Sequence, residues 1–398
     1  MPPLNVLIKP ASGSCDMRCG YCFYADEMAR RAVPLRGVMT AETARLLIDR
    51  ALAFADGQCL FAFQGGEPTL AGLPFFRDFS AYVREHPAAG RLRVHYALQT
   101  NGLTLDEAWM DWLRRERVLV GVSLDGPKDL HDSQRLDAQG KGTFQRVTAA
   151  IRLLERSGVD YNILTVVHGG NVRRAQRLYR FFTESGFRYQ QYIECLDPLG
   201  CEPGRQSWSL TPERYAAFLC QLFDAWYQDV AAGRPAHNRY FENLLMMLLG
   251  QEPESCNLRG VCGEQWVVEA DGSVYPCDFY VLDEWRLGDI RENSFRELAA
   301  ARQRLGFVES SRQVPEDCAR CRWYPLCRNG CRRPGEDLLL RRLPLLPGLR
   351  LPPPAAAQPE PPPLKTRENA PAAAWPRGRF PRFREKPQAG ERPLPVNL

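Results

Sequence analysis

Three cysteines near the start of the chain constrain it more than any other feature of the sequence. Cys15, Cys19 and Cys22 are spaced as C-x3-C-x2-C. Thiolates this close in sequence can hold three corners of a cubane iron–sulfur cluster and leave its fourth iron open. A structural zinc site needs a fourth ligand, and none stands nearby in the sequence. The spacing therefore favours a cluster over zinc and over three unrelated loop cysteines.

A second group of cysteines lies in the last part of the folded sequence. Its seven members are Cys256, Cys262, Cys277, Cys318, Cys321, Cys327 and Cys331. Iron–sulfur clusters and zinc both use thiolate ligands on short loops, so either could occupy these positions. Seven ligands suit neither one four-cysteine site nor two complete ones. An eighth cysteine is expected downstream, but none follows Cys331.

The first half of the chain alternates strand patterns with helix patterns. Short apolar runs predict strands at Asn5–Ile8, Cys59–Phe63, Val94–Leu98, Val118–Val122, Asn162–Val167 and Tyr189–Ile193. Helical spacing of apolar residues predicts helices between most of them. Six strands alternating with helices indicate a parallel β/α fold, either barrel-like or an open sheet. Function in such folds collects at the carboxyl ends of the strands, which we call the mouth.

Polar segments follow several of the predicted strands and should meet at the mouth. They are Gln64-Gly65-Gly66-Glu67-Pro68, Gln99-Thr100-Asn101-Gly102, Ser123-Leu124-Asp125-Gly126 and His168-Gly169-Gly170. Cys195 and Cys201 come at or just after the sixth strand and should also face the mouth. A structural role is nevertheless expected for them, as it is for Cys59 and Cys220, because a free cysteine usually behaves as a small buried hydrophobe.

The pattern changes after Thr211. This residue reads as the N-cap of a helix, with Pro212 at its first position, and a second helix is predicted from Arg239 to Leu249. A hairpin is predicted among the later cysteines, with strands Trp266–Ala270 and Ser273–Cys277 around a two-residue Asp271-Gly272 turn.

Charge and targeting features exclude several classes of protein. The net charge of +5 comes from residues 334–398, which hold 11 basic and 6 acidic residues and 16 of the 32 prolines. The remaining chain has no basic bias, so nucleic acid is not an expected partner. Met1–Lys9 does not resemble a signal sequence, and the longest aliphatic run, Leu244–Leu249, is too short to span a bilayer. We therefore expect a cytoplasmic protein with no membrane partner, in which cysteines bind metal or catalyse rather than form disulfides.

Together, these motifs resemble the radical SAM superfamily. The cysteine triplet with Tyr21 before its last member is similar to that family's signature, and Gly65-Gly66-Glu67-Pro68 is similar to its glycine-rich motif. The seven later cysteines resemble the SPASM extension. More narrowly, the chain resembles anaerobic sulfatase-maturating enzymes from about residue 4 to Arg333, for example at Cys22-Phe23-Tyr24 and Tyr275-Pro276-Cys277-Asp278.

The resemblance implies an α/β fold, namely a partial (β/α)6 radical SAM barrel followed by a small cysteine-rich SPASM domain and a low-complexity C-terminal tail. The expected boundaries are 1–230 for the barrel, 231–255 for a helical linker, 256–333 for the SPASM domain and 334–398 for the tail. It also implies that Cys15, Cys19 and Cys22 hold a [4Fe-4S] cluster whose open iron binds S-adenosylmethionine. The residues that it places against S-adenosylmethionine are Tyr21, Gly66, Ser123, Arg135 and Leu196.

In the sulfatase-maturating family, a 5′-deoxyadenosyl radical removes a hydrogen from Cβ of a cysteine or serine in a sulfatase peptide, which becomes Cα-formylglycine. Asp278 matches the aspartate that takes the thiol or hydroxyl proton. Its alternative role is a hydrogen bond that orients the loop of a cluster ligand. The resemblance assigns Cys256, Cys262, Cys277 and Cys331 to one auxiliary cluster, and Cys318, Cys321 and Cys327 to a second. An electron donor such as a flavodoxin or ferredoxin is the implied partner besides the sulfatase.

The chain departs from the family after Cys331. The second auxiliary cluster should have a fourth cysteine, but the sequence turns into proline-rich residues at Pro334-Gly335. This abrupt change in composition suggests an altered reading frame. Two alternatives to a sulfatase-maturating enzyme follow. One is a maturase of another ribosomal peptide, which usually carries an N-terminal peptide-binding domain, for which the first strand at Asn5 leaves no room. The other is an iron–sulfur protein whose turnover is impaired by the altered C-terminus.

Overall fold

Six parallel strands in chain order form the centre of the protein. The computed structural model describes residues 3–234 and 236–333. Its first six strands are β1 (Leu4–Lys9), β2 (Gln58–Phe63), β3 (Arg93–Thr100), β4 (Leu119–Ser123), β5 (Tyr161–Val167) and β6 (Tyr189–Glu194). Each pairs in parallel with the next. The predicted α/β fold with six β/α units is confirmed, and every predicted strand forms.

Helices connect these strands and bury their apolar stripes against the sheet. They are α1 (Phe23–Ala29), α2 (Ala41–Phe54), α3 (Leu73–Glu85), α4 (Glu107–Arg115), α5 (Lys128–His131), α6 (Phe144–Arg156) and α7 (Ala175–Glu184). The stripe of α2, which includes Leu47, Ile48 and Leu52, is fully buried, as its spacing predicts. Gly158 and Gly186 follow α6 and α7 with positive φ angles, the conformation in which glycine commonly ends a helix.

Two further helices follow β6. They are α8 (Pro212–Ala231), capped by the Thr211 side chain as predicted, and α9 (Arg239–Leu248). The second ends one residue before the predicted Leu249, which is 73% exposed and so gains nothing from packing. The two-residue strand β7 (His237–Asn238) lies between the helices and pairs with the start of β6.

The C-terminal hairpin extends the same sheet. It consists of β8 (Trp266–Glu269) and β9 (Ser273–Tyr275), and β10 (Gly288–Asp289) pairs with its outer strand. Strand β8 pairs in parallel with β1, so the strand order is β10-β9-β8-β1-β2-β3-β4-β5-β6-β7. Short helices complete this part of the chain: α10 (Phe295–Leu305), α11 (Phe307–Ser310), α12 (Glu316–Ala319) and α13 (Tyr324–Cys327). One apolar core runs through both parts and includes Phe61, Phe218 and Leu298.

The predicted hairpin needs two corrections. Val267 pairs with Tyr275 and Val268 with Val274, so the connection is the three residues 270–272 and Ala270 is not in a strand. Gly272 has a φ angle of +92°, which a three-residue connection accommodates best with glycine. The second strand also ends at Tyr275 rather than Cys277. Pro276 has no N–H group to extend the ladder, and its position releases Cys277 and Asp278 into a loop.

Two sequence predictions concern the C-terminal tail and membrane-spanning segments. The predicted low-complexity tail, residues 334–398, lies outside the described residues. Within the part of the chain that is described, no helix is long and apolar enough to cross a bilayer.

Candidate active site

A single cavity of about 630 Å³ opens at the carboxyl ends of the strands. Every residue that the resemblance places against S-adenosylmethionine lines it, as does Asp278: Tyr21, Gly66, Ser123, Arg135, Leu196 and Asp278. Six of the candidate metal ligands also line it: Cys19, Cys22, Cys256, Cys262, Cys277 and Cys331. The predicted mouth therefore brings members of both cysteine groups to the lining of one cavity. Of the two other cysteines expected there, Cys195 lines the cavity, whereas Cys201 is exposed on a loop outside it.

The first cysteine group lies on the loop between β1 and α1. Cys22 is the N-cap residue of α1, and all three cysteines are free thiols. Electrostatic interactions link Cys15 to Cys19 and Cys19 to Cys22, so the three side chains are neighbours. Burial raises the pKa of the Cys19 thiol to about 11. The loop is held by the segment after α5, because the backbone N–H of Gly20 donates to the carbonyl of Gln134 at 3.2 Å.

The glycine-rich segment after β2 is packed against this cysteine loop. A Cβ atom added at Gly66 would lie 2.2 Å from the carbonyl oxygen of Ser14, and one at Gly65 would lie 2.7 Å from that of Ser12. Glycine is therefore required for the close approach of two backbones, whereas the sequence suggested close approach to a ligand. Glu67 then turns inward and accepts hydrogen bonds from the Thr100 hydroxyl at 2.8 Å and from the backbone of Asn101 at 2.7 Å. The ends of β2 and β3 are thereby joined.

Tyr21 and Arg135 share a buried carboxylate. Both the Tyr21 hydroxyl and the Arg135 Nε donate to Oδ2 of Asp125, the latter at 2.9 Å. The Arg135 Nη1 also lies 4.0 Å from the sulfur of Cys19. Burial opposes the charge of Asp125, but the Arg135 guanidinium, His131 and the hydrogen bonds from Tyr21 and Arg135 together outweigh it and hold the pKa of Asp125 below its ordinary value. This part of the site is a satisfied ion pair.

Ser123 and Leu196 complete the side of the cavity formed by β4 and β6. Ser123 is the last residue of β4, and its hydroxyl accepts a hydrogen bond from Gln99 at 3.1 Å. Leu196 lies just beyond β6, half-buried, where the backbone N–H of Cys195 still donates to Val167 at 2.9 Å. The position of each residue is therefore set by the end of the strand next to it.

Asp278 lies on the opposite side of the cavity and has a different environment. Its Oδ2 accepts hydrogen bonds from the Tyr24 hydroxyl at 2.5 Å and from Gln64 Nε2 at 3.0 Å. Its Oδ1 has no hydrogen-bond partner among the described residues and lies 3.8 Å from the ammonium of Lys9. Burial raises the pKa of Asp278 above its ordinary value, and Lys9 and Tyr24 only partly offset this effect.

Lys9 is the centre of a buried group of charges beneath Asp278. Its side chain is 1% exposed and lies 3.4 Å from Glu269 on β8 and 3.8 Å from Glu27 on α1. Arg31 pairs with the same Glu269 at 2.5 Å. Removing one partner of a buried ion pair typically costs about 3–5 kcal/mol. These charges therefore tie β1, α1 and the C-terminal hairpin together where Asp278 enters the cavity.

The seven later cysteines form two sets of neighbours. Electrostatic interactions link Cys277 to both Cys256 and Cys331, and Cys256 to Cys262. A separate set links Cys327 to Cys318 and Cys321, and these three lie outside the cavity lining, as does Cys15. The grouping matches the two ligand sets that the resemblance implies.

The donor sets fit clusters better than single ions. No group of three or more cysteine, histidine or acidic side chains that could hold a single metal ion is found within the described ranges. Sites made of cysteine alone, in sets of neighbours, are the chemistry by which proteins hold iron–sulfur clusters. Free thiols grouped as three, four and three neighbours fit cubane clusters, with one ligand short in the last set. There the Cys318 thiol donates to the side-chain oxygen of Asn329 at 3.4 Å.

Four side chains at the site were not predicted as functional residues, namely Lys9, Tyr24, Gln64 and Asp125. Three of them belong to segments that the sequence marked: Gln64 and Asp125 follow strands, and Tyr24 follows the cysteine triplet. For Gln64 and Asp125 the position at a strand end was the available signal, and for Tyr24 it was the position next to the cysteine triplet. Lys9 gave no separate signal, because a lysine at the end of a strand is usually solvated.

Known proteins match this chain along most of its described length. It matches the Radical SAM superfamily over residues 10–182 and an iron-sulfur cluster-binding SPASM domain over residues 256–322. It is 46% identical to a cysteine-type anaerobic sulfatase-maturating enzyme of Clostridium perfringens, over 84% of this chain and 90% of that one. A serine-type enzyme of Bacteroides thetaiotaomicron is 29% identical over 83% and 82%.

A solved structure is also similar to this chain over most of its length. The structure described as native anSMEcpe with bound AdoMet and Cp18Cys peptide superposes with a TM-score of 0.80 and 44% identity, covering 85% of this chain and 91% of that one. The cysteine sets, the strand-end cavity and these similarities agree, and the chain therefore belongs to the radical SAM superfamily and, within it, to the anaerobic sulfatase-maturating enzymes.

Proposed function

We propose that this chain converts a cysteine in a peptide segment of a sulfatase to Cα-formylglycine under anaerobic conditions. As a radical SAM oxidoreductase, it uses [4Fe-4S] clusters and S-adenosylmethionine. The observation that carries the proposal is that Asp278 shares one cavity with the cysteine loop and with all five candidate S-adenosylmethionine contacts. A peptide entering this cavity would lie between the source of the radical and a buried carboxylate.

Cys15, Cys19 and Cys22 are the residues that would hold the first cluster, and Tyr21, Gly66, Ser123, Arg135 and Leu196 would contact S-adenosylmethionine. When bound, these groups supply a radical that removes one hydrogen atom from the substrate Cβ. The cysteine side chain also loses one proton to Asp278 and one electron to an acceptor, which leaves a thioaldehyde; water then adds to its carbon, and the sulfur leaves as hydrogen sulfide. Asp278 would act through Oδ1, because Tyr24 and Gln64 already occupy Oδ2.

The auxiliary clusters would follow the two sets of neighbouring cysteines. Cys256, Cys262, Cys277 and Cys331 supply four thiolates for one cluster, adjacent to Asp278. Cys318, Cys321 and Cys327 supply three for the other, which therefore assembles incompletely or recruits another ligand. We keep the domain boundaries at 1–230, 231–255 and 256–333, with the tail at 334–398.

Cysteine is the proposed target residue because the two classes of relatives differ in similarity. Identity to cysteine-type enzymes is 45–46%, whereas identity to serine-type enzymes is 28–29% over a similar share of this chain. The reductant would be a small electron-transfer protein such as a flavodoxin or ferredoxin, and the compartment would be the cytoplasm.

An assay on matched peptides tests this function. The reconstituted, reduced protein is incubated anaerobically with S-adenosylmethionine and a sulfatase-derived peptide that carries cysteine, serine or alanine at the target position. We expect formylglycine and 5′-deoxyadenosine from the cysteine peptide, less of both from the serine peptide, and no formylglycine from the alanine peptide. Cleavage of S-adenosylmethionine without oxidation of any of these peptides would contradict the sulfatase assignment and favour a maturase of another peptide.

Iron analysis tests the auxiliary sites separately. Three complete clusters would bring about twelve irons per chain, whereas loss of the three-cysteine site would leave about eight. The same preparation is assayed for peptide oxidation. About eight irons with normal turnover would show that the second auxiliary site is dispensable, and about eight irons without turnover would favour an iron–sulfur protein with impaired activity.

A further inference from the structure

Asp125 connects three separate elements through one buried carboxylate. Its side chain is fully buried. One oxygen, Oδ2, accepts hydrogen bonds from the Tyr21 hydroxyl on the cysteine loop and from Arg135 Nε on the segment after α5. The other, Oδ1, accepts a hydrogen bond from the backbone N–H of Val166 in β5 at 3.0 Å. Three groups that are distant in sequence are therefore held by one short side chain.

A second set of hydrogen bonds returns from Asp125 to Arg135. The backbone N–H of Asp125 donates to Nδ1 of His131 at 3.2 Å, and the other ring nitrogen of His131 lies 2.9 Å from the Thr143 hydroxyl. That hydroxyl donates to the backbone carbonyl of Arg135 at 2.8 Å. Both the guanidinium and the backbone of Arg135 are thus fixed relative to Asp125, although Arg135 has a long side chain with many rotamers.

The charge of Asp125 matters as much as its geometry. S-adenosylmethionine carries a sulfonium cation in addition to its zwitterionic amino-acid group. An uncompensated guanidinium at Arg135 would repel that cation in a buried cavity, where charges are weakly screened. The carboxylate 2.9 Å from the Arg135 Nε cancels this repulsion while leaving the Nη groups free to point toward the cysteine loop.

We propose that Asp125 is a positioning residue for S-adenosylmethionine binding, which fixes the Tyr21 phenol and the Arg135 guanidinium in the orientation in which both face the cavity. It does not line the cavity itself and acts through these two residues. The inference rests on the proposed function, because it assumes that Tyr21 and Arg135 contact the cofactor.

The test compares Asp125→Asn with a matched control, Asp132→Asn. Asp132 is a partly buried carboxylate on the same segment, where it pairs with Lys128 and accepts the backbone N–H of Phe144 at 2.9 Å, without contact to Tyr21 or Arg135. Both variants are reconstituted with iron and sulfide, and their iron content and melting temperature are measured. The dissociation constant of S-adenosylmethionine is then obtained by titrating the reduced protein and following the electron paramagnetic resonance spectrum of the cluster.

We expect Asp125→Asn to weaken S-adenosylmethionine binding at least about tenfold, since truncating one partner of a buried charge pair has effects of this size or larger. Asp132→Asn should bind it like the unmodified protein. Unchanged binding in Asp125→Asn, with normal iron content, would overturn the proposal.

A double variant separates positioning from a purely structural role and also covers failure of Asp125→Asn to fold. Arg135→Gln removes the guanidinium, and Asp125→Asn combined with Arg135→Gln leaves no unpaired buried charge. If Asp125 acts mainly through Arg135, the double variant should bind S-adenosylmethionine within about threefold of Arg135→Gln. With Tyr21→Phe added to both proteins, neither positioned polar group remains, and a further loss of tenfold or more caused by Asp125→Asn would then overturn the proposal.

These outcomes are distinguishable from failure of the proposed function. A protein that binds and cleaves S-adenosylmethionine but oxidises no sulfatase peptide would contradict the substrate and leave the role of Asp125 intact. Normal peptide oxidation together with unchanged cofactor affinity in Asp125→Asn would contradict the role of Asp125 alone.

Discussion

Two buried aspartates belong to the site, Asp278 in the lining of the cavity and Asp125 behind Tyr21 and Arg135, and the two are held differently. Asp125, on the β4 side, has both oxygens hydrogen-bonded and a guanidinium as its partner. Asp278, on the hairpin side, has one oxygen hydrogen-bonded and the other facing a lysine at 3.8 Å. The pKa of Asp125 lies below the ordinary aspartate value and the pKa of Asp278 lies above it.

The difference shows how burial and partners assign distinct roles to the same residue type. Desolvation raises the pKa of both carboxyl groups. At Asp125 the Arg135 pair, with His131 and the hydrogen bond from Tyr21, together overcomes it, whereas at Asp278 the more distant Lys9 and the hydrogen bond from Tyr24 do not. A fully satisfied carboxylate holds its neighbours in place. A carboxylate with one buried oxygen that lacks a hydrogen-bond partner among the described residues has an atom available to accept a proton.

The largest expected effect comes from removing a ligand of the first cluster, because cleavage of S-adenosylmethionine depends on that cluster. Cys15→Ala should abolish the release of 5′-deoxyadenosine, because two thiolates cannot hold a cluster with one open iron. Chromatography of the reaction products checks this. Cys201→Ala is the control, since Cys201 is exposed and outside all three cysteine sets, and it should react normally. Residual 5′-deoxyadenosine in Cys15→Ala would show that another residue replaces this ligand.

The next largest effect should separate the two aspartates. Asp278→Asn keeps the shape of the side chain but removes the proton acceptor, so peptide oxidation should fall at least about 100-fold. Cleavage of S-adenosylmethionine should remain, because Tyr21, Arg135 and Asp125 are unchanged. Both products are measured in one reaction. Equal loss of cleavage and oxidation would instead indicate that Asp278 only orients the loop of Cys277.

A pH experiment examines the Asp125 side alone. His131 accepts a hydrogen bond from the backbone of Asp125, and burial lowers the pKa of His131 to about 4. The unfolded chain binds this proton near pH 6.5, so the stabilising contribution is complete above pH 6.5 and is lost as the pH falls toward 4. Between these pH values the free energy of unfolding should fall by about 1.4 kcal/mol per pH unit because of this group.

Thermal unfolding of the cluster-containing protein between pH 4 and 7 measures this loss. In His131→Gln, the decline in melting temperature with acid should be shallower than in the unmodified protein, because one proton fewer is taken up on unfolding. Parallel pH profiles for the two proteins would contradict the assignment of a neutral buried His131.

The smallest expected effect concerns the Asp278 side. Tyr24→Phe removes one of the two hydrogen bonds to Oδ2 and leaves the bond from Gln64 at 3.0 Å. Loss of one such bond should lower kcat for peptide oxidation a few-fold, with little change in the KM of the peptide. Tyr227→Phe is the control because Tyr227 is 51% exposed, and it should leave both constants unchanged. A change in the KM alone would mean that Tyr24 binds the peptide rather than orienting Asp278.

Much of this site was readable from the sequence because its signals are local. The spacing of Cys15, Cys19 and Cys22 specifies a cluster loop, and the apolar stripe of α2 specifies a helix packed on the sheet. Strand ends meet at one edge in a parallel fold, which predicted that Gly66 and Ser123 share one mouth, whereas Leu196 followed from the family resemblance alone. Some errors lay at element ends, as at Pro276, where a missing N–H group shortens the second strand of the hairpin, and Cys201, expected at the mouth, lies outside the cavity.

The partners of the buried charges depend on contacts between residues that are far apart in sequence. By itself, the sequence determined the alternation of six strands with helices, the two groups of cysteines and the family resemblance, because each depends on spacing or periodicity within short segments. Tertiary structure alone decided that β8 pairs with β1, which brings Glu269 to Lys9 and Asp278 to Tyr24. It also decided that both carboxylate oxygens of Asp125 accept hydrogen bonds, whereas only one oxygen of Asp278 does so among the described residues. Such differences arise from desolvation and three-dimensional pairing, which no local pattern encodes.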